Sequence, residues 1–275
     1  MANEEYVRSV LNWRQEVDTN LRRENGWLSL AGLFWLRKGE NIIGSDPDCD
    51  ILLPARAPKR LGTFEFDGNH VKLNVELDTP VEVNGTSVKS SLLDTDEDDV
   101  PSFITFNDMR MVVVRRSKGI GIRLWDNTRE ARRTFPPRVW YPVNEAFRVP
   151  ATYTRYETPR VVKMPDILGA ILDEKMEGYV TFELNGKSYE LVVSELSDHR
   201  LFVQFMDETN GNPTYPSGRY HYTDAHENGK LFLDFNKAYS PPCAFTDYAT
   251  CSFPPQENHL HVRIEAGEKF PEHNH

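Results

Sequence analysis

Among residues 233–258 stand the acids Asp234 and Glu257, the carboxamides Asn236 and Asn258, the phenol of Tyr239 and the thiols Cys243 and Cys251. Two Pro-Pro pairs, Pro241-Pro242 and Pro254-Pro255, stiffen this stretch, because each proline fixes its own φ and biases its predecessor toward extended backbone. Such a segment is built to hold a shape. Strand alternation in Leu231–Asn236 would place Asp234 and Asn236 on one face, two residues apart, where both can reach one ligand. The same rule puts Arg219 beside His221 and opposite Tyr220 and Tyr222. Asp207 closes an apolar strand on the face of Val203 and Phe205, so its carboxylate is expected to be partly buried, which calls for a cation or several donors. Arg219 is the natural partner for either Asp207 or Asp234.

These types suit general acid-base chemistry: Asp234 as the acid or base, Arg219 as the charge clamp, Asn236 and Tyr239 as orienting groups. Hydrolysis is the first reaction to test. Asp207, Tyr220, Glu257 and Asn258 complete the expected ligand-binding set. Arg138 joins it from a second polar cluster with Arg132, Arg133 and Tyr141, where guanidinium groups could clamp an anion. The competing reading is that all these groups only fix loops.

Other candidates are weaker. Cys243 and Cys251 lie too far apart for a tight zinc pair, and a nucleophilic thiol would need His221 or His226 as its base, so packing is the expected role. His259 and His261 share a strand face, but Leu260, Val262 and Ile264 form the apolar one, which turns both imidazoles toward solvent. The acidic run Thr95–Asp99 lacks EF-hand spacing and reads as a solvated loop. No nucleophile elbow, P-loop, dinucleotide fingerprint or zinc-protease motif occurs, so no cofactor or metal is expected.

These residues need elements to position them. Tyr6, Val10, Trp13, Val17 and Leu21 recur at helical spacing and predict an amphipathic helix over roughly residues 4 to 21. A shorter helix is expected from Pro165 to Met176, ended by Gly178. Everything else alternates with a period of two. Asn84-Gly85 and Asn185-Gly186 mark hairpins, the second flanked by matched strands at Tyr179–Leu184 and Ser188–Val193. Further strands are expected at Phe64–Phe66, Val71–Val75, Met111–Val114, Ile120–Leu124, Phe147–Tyr153, Leu201–Met206, Arg219–Tyr222, Lys230–Phe235 and Leu260–Ile264. Prolines at 136, 137 and 142 suggest a joint, with domains at 1–135 and 136–275 and a mobile tail from Pro271.

Asn41–Pro54, with Ile43-Gly44-Ser45 and the later Val83-Asn84-Gly85-Thr86, resembles the opening of a forkhead-associated domain, a β-sandwich that docks phosphothreonine peptides. Ser45 stands where that family places a phosphate-binding arginine, and Ala57–Gly62 replaces its Ser-x-x-His element, so the resemblance implies the sandwich without phosphopeptide binding. Gly218-Arg219-Tyr220, Leu233–Phe245, Tyr248–Cys251, Pro254-Pro255, Glu257-Asn258 and Ala266-Gly267-Glu268 resemble the C-terminal signature of a bacterial and archaeal family of unassigned function, numbered 1684. Trp27–Leu36 resembles its N-terminal signature. Ser240 and Ser252 depart from it, standing where Asn and Pro are more usual.

The expected fold is therefore mainly β: an N-terminal helix, a forkhead-associated-like sandwich, and a second antiparallel sheet or barrel-like half. A net charge of −10 argues against nucleic acid as a partner. With 39% hydrophobic residues, no basic-apolar leader and no long apolar run, a cytoplasmic address and no membrane contact are expected. The leading functional expectation is a small anionic or polyhydroxyl ligand bound in a polar C-terminal pocket, with hydrolysis as the reaction to test on it. The alternative is a protein-interaction module whose C-terminal motif is purely structural.

Overall fold

The computed structural model describes residues 3–76 and 79–270. The tail predicted from Pro271 onward lies outside the described residues. The chain divides into two compact units, Leu21–Phe135 and Met1–Asn20 with Pro136–His275. The N-terminal helix, Glu4–Arg22, thus groups mostly with the C-terminal unit rather than with the sandwich as its sequence position suggests. Side-chain chemistry explains this: Trp13 packs edge-on against Trp140 at 5.8 Å between ring centroids, and Arg14 Nη1 donates to the Tyr141 carbonyl at 3.0 Å. No helix among the described residues is long and apolar enough to cross a membrane.

The unit Leu21–Phe135 is a β-sandwich. One sheet runs in the order Leu30–Trp35, Gly119–Asp126, Met109–Arg116, Ile104–Phe106, Glu82–Val83, Thr86–Ser87. The other runs Ile51–Leu52, Gly39–Gly44, Gly62–Phe66, Val71–Val75, Ser90–Leu93. Inward-facing Ile43, Phe64 and Leu73 from one sheet meet Ile104, Met111 and Ile122 from the other in a single core. Asn84 (φ 50°) and Gly85 (φ 79°) adopt the positive angles that their two-residue hairpin requires. Gly44 is fixed by a close approach, since a Cβ there would sit 2.1 Å from the Lys59 carbonyl oxygen. Next to it, the Ser45 hydroxyl donates to the Ala57 carbonyl at 2.7 Å, so this side chain ties two loops. The acidic run is likewise held to its sheet, because Asp96 accepts from Nη1 and Nη2 of Arg116 and from the Arg115 amide.

The C-terminal unit is built on a six-strand path: Arg219–Tyr222, Leu201–Asp207, Lys187–Glu195, Ile171–Leu184, Arg148–Pro165, Lys230–Asp234, with His259–Leu260 pairing in parallel beside Leu201–Asp207. The expected helix at Pro165–Met176 is a correction: these residues close the longest hairpin of the chain, whose arms pair Pro165 with Ile171 and Val161 with Lys175. Asp166 accepts from the Leu168 and Ala170 amides, and Gly169 takes φ 88°, so a turn wins where proline-opened helix was expected. The strand expected through Ile264 ends at Leu260.

The sheet curls on itself. Tyr220 and Tyr239 exchange both backbone hydrogen bonds, which joins one edge strand to the chain just beyond the other. The enclosed space is filled. Val180, Phe182, Leu191, Val203, Phe205, Leu233 and Phe235 are essentially inaccessible and form one core, as expected for a small barrel-like sheet whose interior holds side chains.

Candidate functional site

The carboxylate Asp234 ends its strand, and beyond it the chain turns into a short 3-10 segment, Phe235–Lys237. Asp234 caps that segment by accepting from the Asn236 amide at 3.1 Å. Asp234 and Asn236 therefore do converge, through a turn instead of a continued strand. What they converge on is a side chain of the N-terminal helix. The Tyr6 hydroxyl donates to Asp234 Oδ1 at 2.9 Å and accepts from Asn236 Nδ2 at 2.9 Å. Asn236 also bonds Asn144 through both its amide groups, and Arg14 Nη2 donates to the Asn236 carbonyl at 3.2 Å. Burial and the neighbouring Asp234 charge push the Tyr6 phenol well above its ordinary range, so it stays a donor.

Arg219 resolves the choice left open by its sequence: it pairs with Asp207, and both side chains are wholly inaccessible. The guanidinium also donates to the Ile264 and Ala266 carbonyls, while Asp207 accepts from the Thr209 amide at 2.6 Å and from its hydroxyl. Arg138 and Glu268 form a second enclosed pair, bidentate at 2.7 Å for each bond, and Glu268 further accepts from the Ser240 amide at 2.6 Å. Ser240 thus contributes its backbone at a position where a carboxamide was expected. Arg132 donates to the Arg22 and Asn127 carbonyls.

The remaining members of the expected set are also committed to framework. Tyr239 stands 6.1 Å from the Trp13 ring and 6.4 Å from Tyr220, centroid to centroid. Tyr220 donates its hydroxyl to the Ser252 carbonyl at 2.9 Å. Asn258 acts as a piece of strand: its side-chain amide exchanges two 2.8 Å bonds with the Val192 backbone and donates to the Gln204 carbonyl at 2.7 Å. Glu257 alone is well exposed, paired with Arg160 at the surface.

Cys251 is buried beside Tyr220, and its thiol donates to Cys243, which holds Cys243 down to about 7. His221 cannot serve them as a base. It lies on the opposite face of its strand from Tyr220, fully buried, with neither ring nitrogen closing a hydrogen bond of good geometry. Burial is the main reason its pKa falls to about 4. His259 and His261 are exposed, on the face expected for them.

A different cluster forms at one rim of the curled sheet. Glu195 ends its strand, His199 sits in the turn that follows with φ 61°, and His226 belongs to the loop joining the two edge strands. His199 Nδ1 lies 3.0 Å and His226 Nε2 3.2 Å from the same oxygen, Glu195 Oε1. The other oxygen accepts from the Tyr153 hydroxyl at 3.0 Å, with the Arg155 guanidinium 3.6 Å away. The Glu195 side chain is 8% exposed, whereas His199 and Arg155 are each 67% exposed. Burial pushes the carboxyl up, but bonds from His199, Tyr153 and His226 outweigh it and hold Glu195 below the usual carboxylate range. Among the described residues, these three are the group of histidine, cysteine and carboxylate ligands compact enough to hold a metal ion, their donor atoms all within 4.8 Å of one another. Sequence reasoning missed Glu195, His199 and Tyr153 and considered His226 only as a thiol base. Glu195 and His199 share one hairpin connection, but Tyr153 comes from a strand and His226 from the loop between the edge strands, so the cluster depends on a curl of the sheet that no local pattern encodes.

Residues 133–269 match the model of a family described as Protein of unknown function (DUF1684). The chain belongs to this family. An uncharacterized protein of Haloarcula marismortui, from gene locus rrnAC0354 and solved in solution, is 32% identical over 51% of this chain and 80% of its own length, with a TM-score of 0.42. The FhaA FHA domain, solved in complex with the intracellular domain of Rv3910, is 22% identical over 33% of this chain and 85% of its own, with a TM-score of 0.24. A chain solved in a study of phosphothreonine-dependent FHA domain interactions is 24% identical over 33% of this chain and 79% of its own, with a TM-score of 0.23. No curated protein is significantly similar.

Proposed function

We propose that the C-terminal unit binds a small polar ligand, anionic or rich in hydroxyls, at the Glu195 rim, and that the family signature is the frame that builds this unit. One observation carries the reading: the rim combines a nearly enclosed carboxylate with an imidazole and a guanidinium that are each 67% exposed. Such a set offers one fixed acceptor and several movable donors to an incoming ligand. The signature groups, by contrast, are already satisfied. Asp234, Asn236, Arg219 and Asp207 are at most 8% exposed and have protein partners.

The test is a thermal-shift screen with phosphate, citrate and a panel of sugars and hydroxy acids. A ligand that stabilises the wild type should stabilise Asp234→Asn equally and His199→Ala much less. Ligand-induced stabilisation lost in Asp234→Asn but intact in His199→Ala would overturn the reading.

The burial of most signature side chains in internal bonds also favours a second reading, an interaction module in which the sandwich carries the binding. That module would not recognise phosphothreonine, because Ser45 is tied to Ala57 where a guanidinium would be needed. Absence of any small-molecule shift, together with a protein partner retained by residues 21–135, would favour it.

A further inference from the structure

The two histidines at the rim do not merely surround Glu195; they aim ring nitrogens at one of its oxygens. Separations of 3.0 and 3.2 Å between those nitrogens and Oε1 are close to the spacing of roughly 3.3 Å that adjacent donors adopt around a tetrahedral ion with bonds of about 2.0–2.1 Å. We infer that Glu195, His199 and His226 form a site for a divalent transition-metal ion of the zinc type. The inference rests on the reading of this rim as the binding end, and it names the ion that would organise it.

Three features support a metal over a simple hydrogen-bonded cluster. The donor set is two imidazoles and one carboxylate, which suits zinc, cobalt or nickel and disfavours calcium or magnesium. The second oxygen of Glu195 is held by the Tyr153 hydroxyl at 3.0 Å, the outer-shell support expected of a ligating carboxylate. The site is also open on one side, since His199 is 67% exposed, so a fourth position remains for water or a ligand oxygen. A bound cation would there attract the anionic oxygen of the ligand proposed above, with Arg155 beside it.

Binding competes with protons, because both imidazoles must be neutral to ligate. Each imidazole must turn a lone pair toward the ion, so the proton now shared with Glu195 moves to the other ring nitrogen. For His199, whose side chain is 67% exposed, water can satisfy that nitrogen. For His226 it is Nδ1, which now accepts from the Gly229 amide at 3.4 Å, so the Asn228-Gly229 turn must shift. Binding is accordingly weaker than in a site whose outer nitrogens already face acceptors.

Titration of the EDTA-treated full-length protein with zinc chloride, followed by calorimetry, should show one ion bound per chain. Cobalt substitution should give the visible bands of a low-coordinate site. His199→Ala, at an exposed position where the φ of 61° strains histidine and alanine alike, should abolish both signals while leaving the fold intact, and Tyr153→Phe should weaken zinc roughly 10–100-fold. Undiminished zinc affinity in His199→Ala would overturn the inference and place the ion elsewhere, for example at His259 and His261. Absence of zinc binding and of cobalt bands in the wild type would overturn it too. Anion-induced stabilisation measured in EDTA then decides the broader reading separately: if it persists and depends on His199, the ligand site stands without a metal.

Discussion

At the scale of residues, the molecule separates ionic groups that hold it together from those that merely sit on it. The Arg219–Asp207 pair is wholly inaccessible, so removing one partner leaves a buried charge uncompensated. Arg219→Ala should cost about 3–5 kcal/mol in urea unfolding of the C-terminal unit. Glu257→Gln, which breaks the exposed pair with Arg160, should change stability by about 0.5 kcal/mol or less under the same conditions. Equal losses in the two variants would refute this division. His221 adds a pH dependence of definite sign. Its buried imidazole is neutral in the fold down to about pH 4, whereas the unfolded chain takes up the proton near 6.5. Burial dominates over the Asp234 and Asp224 charges and the Lys237 backbone, which favour its charged form, and is reinforced by the Lys237 charge, which opposes it. Between those values the unfolded state binds the extra proton, so stability is intact above about 6.5 and falls by about 1.4 kcal/mol per unit as pH drops toward 4. Chemical denaturation at stepped pH should show that slope in the wild type and a flatter one in His221→Phe.

At the scale of elements, the sequence was legible wherever a local rule controls the outcome and opaque wherever distant segments do. The helix at Glu4–Arg22 and the hairpins at Asn84-Gly85 and Asn185-Gly186 follow from apolar spacing and from residues that tolerate positive φ. Burial alternates as expected through Leu231, Phe232 and Leu233. Beyond Asp234 the pleat argument fails, because a side chain able to cap its own downstream amide competes with the ladder and turns the chain. The Pro165–Met176 segment fails for a related reason: Asp166 and Gly169 make a turn there, and long-range pairing between the two arms then outweighs helix propensity. Asn258 is the element-scale test. Its amide occupies the gap where Lys187–Glu195 and Leu201–Asp207 diverge, since those strands pair only at Ser194–Phe202 and Glu195–Leu201. Asn258→Ala would strand the Val192 amide and two carbonyls in a buried setting. The expected loss is about 3 kcal/mol or more, from roughly 1–3 kcal/mol for each orphaned group, with amide exchange at Val192 accelerated toward that of global unfolding. Retained protection at Val192 would mean that water or strand movement fills the gap.

At the scale of the whole molecule, the chain order of elements differs from their grouping. A sequence reading places the helix with the sandwich because the two are adjacent along the chain, and no periodicity reveals which surface a helix will cover. The contacts are carried by individual residues instead: Tyr6 on Asp234 and Asn236, Trp13 on Trp140 and Tyr239, Arg14 on the Tyr141 and Asn236 carbonyls. The helix thereby completes the polar frame of the family signature. Tyr6→Phe removes one hydroxyl that is donor to a buried acid and acceptor from a buried amide, so the expected cost is about 1–3 kcal/mol. Deleting residues 1–20 removes that hydroxyl together with the Trp13 and Arg14 contacts, and the C-terminal unit should lose considerably more. The sandwich keeps its own two-sheet core within Leu21–Phe135 and should be nearly indifferent. Calorimetry of the full chain and of the deletion variant checks this: the transition assigned to residues 136–275 should move to lower temperature while that of the sandwich holds. A shift confined to the sandwich would mean that the helix belongs energetically to the unit it precedes.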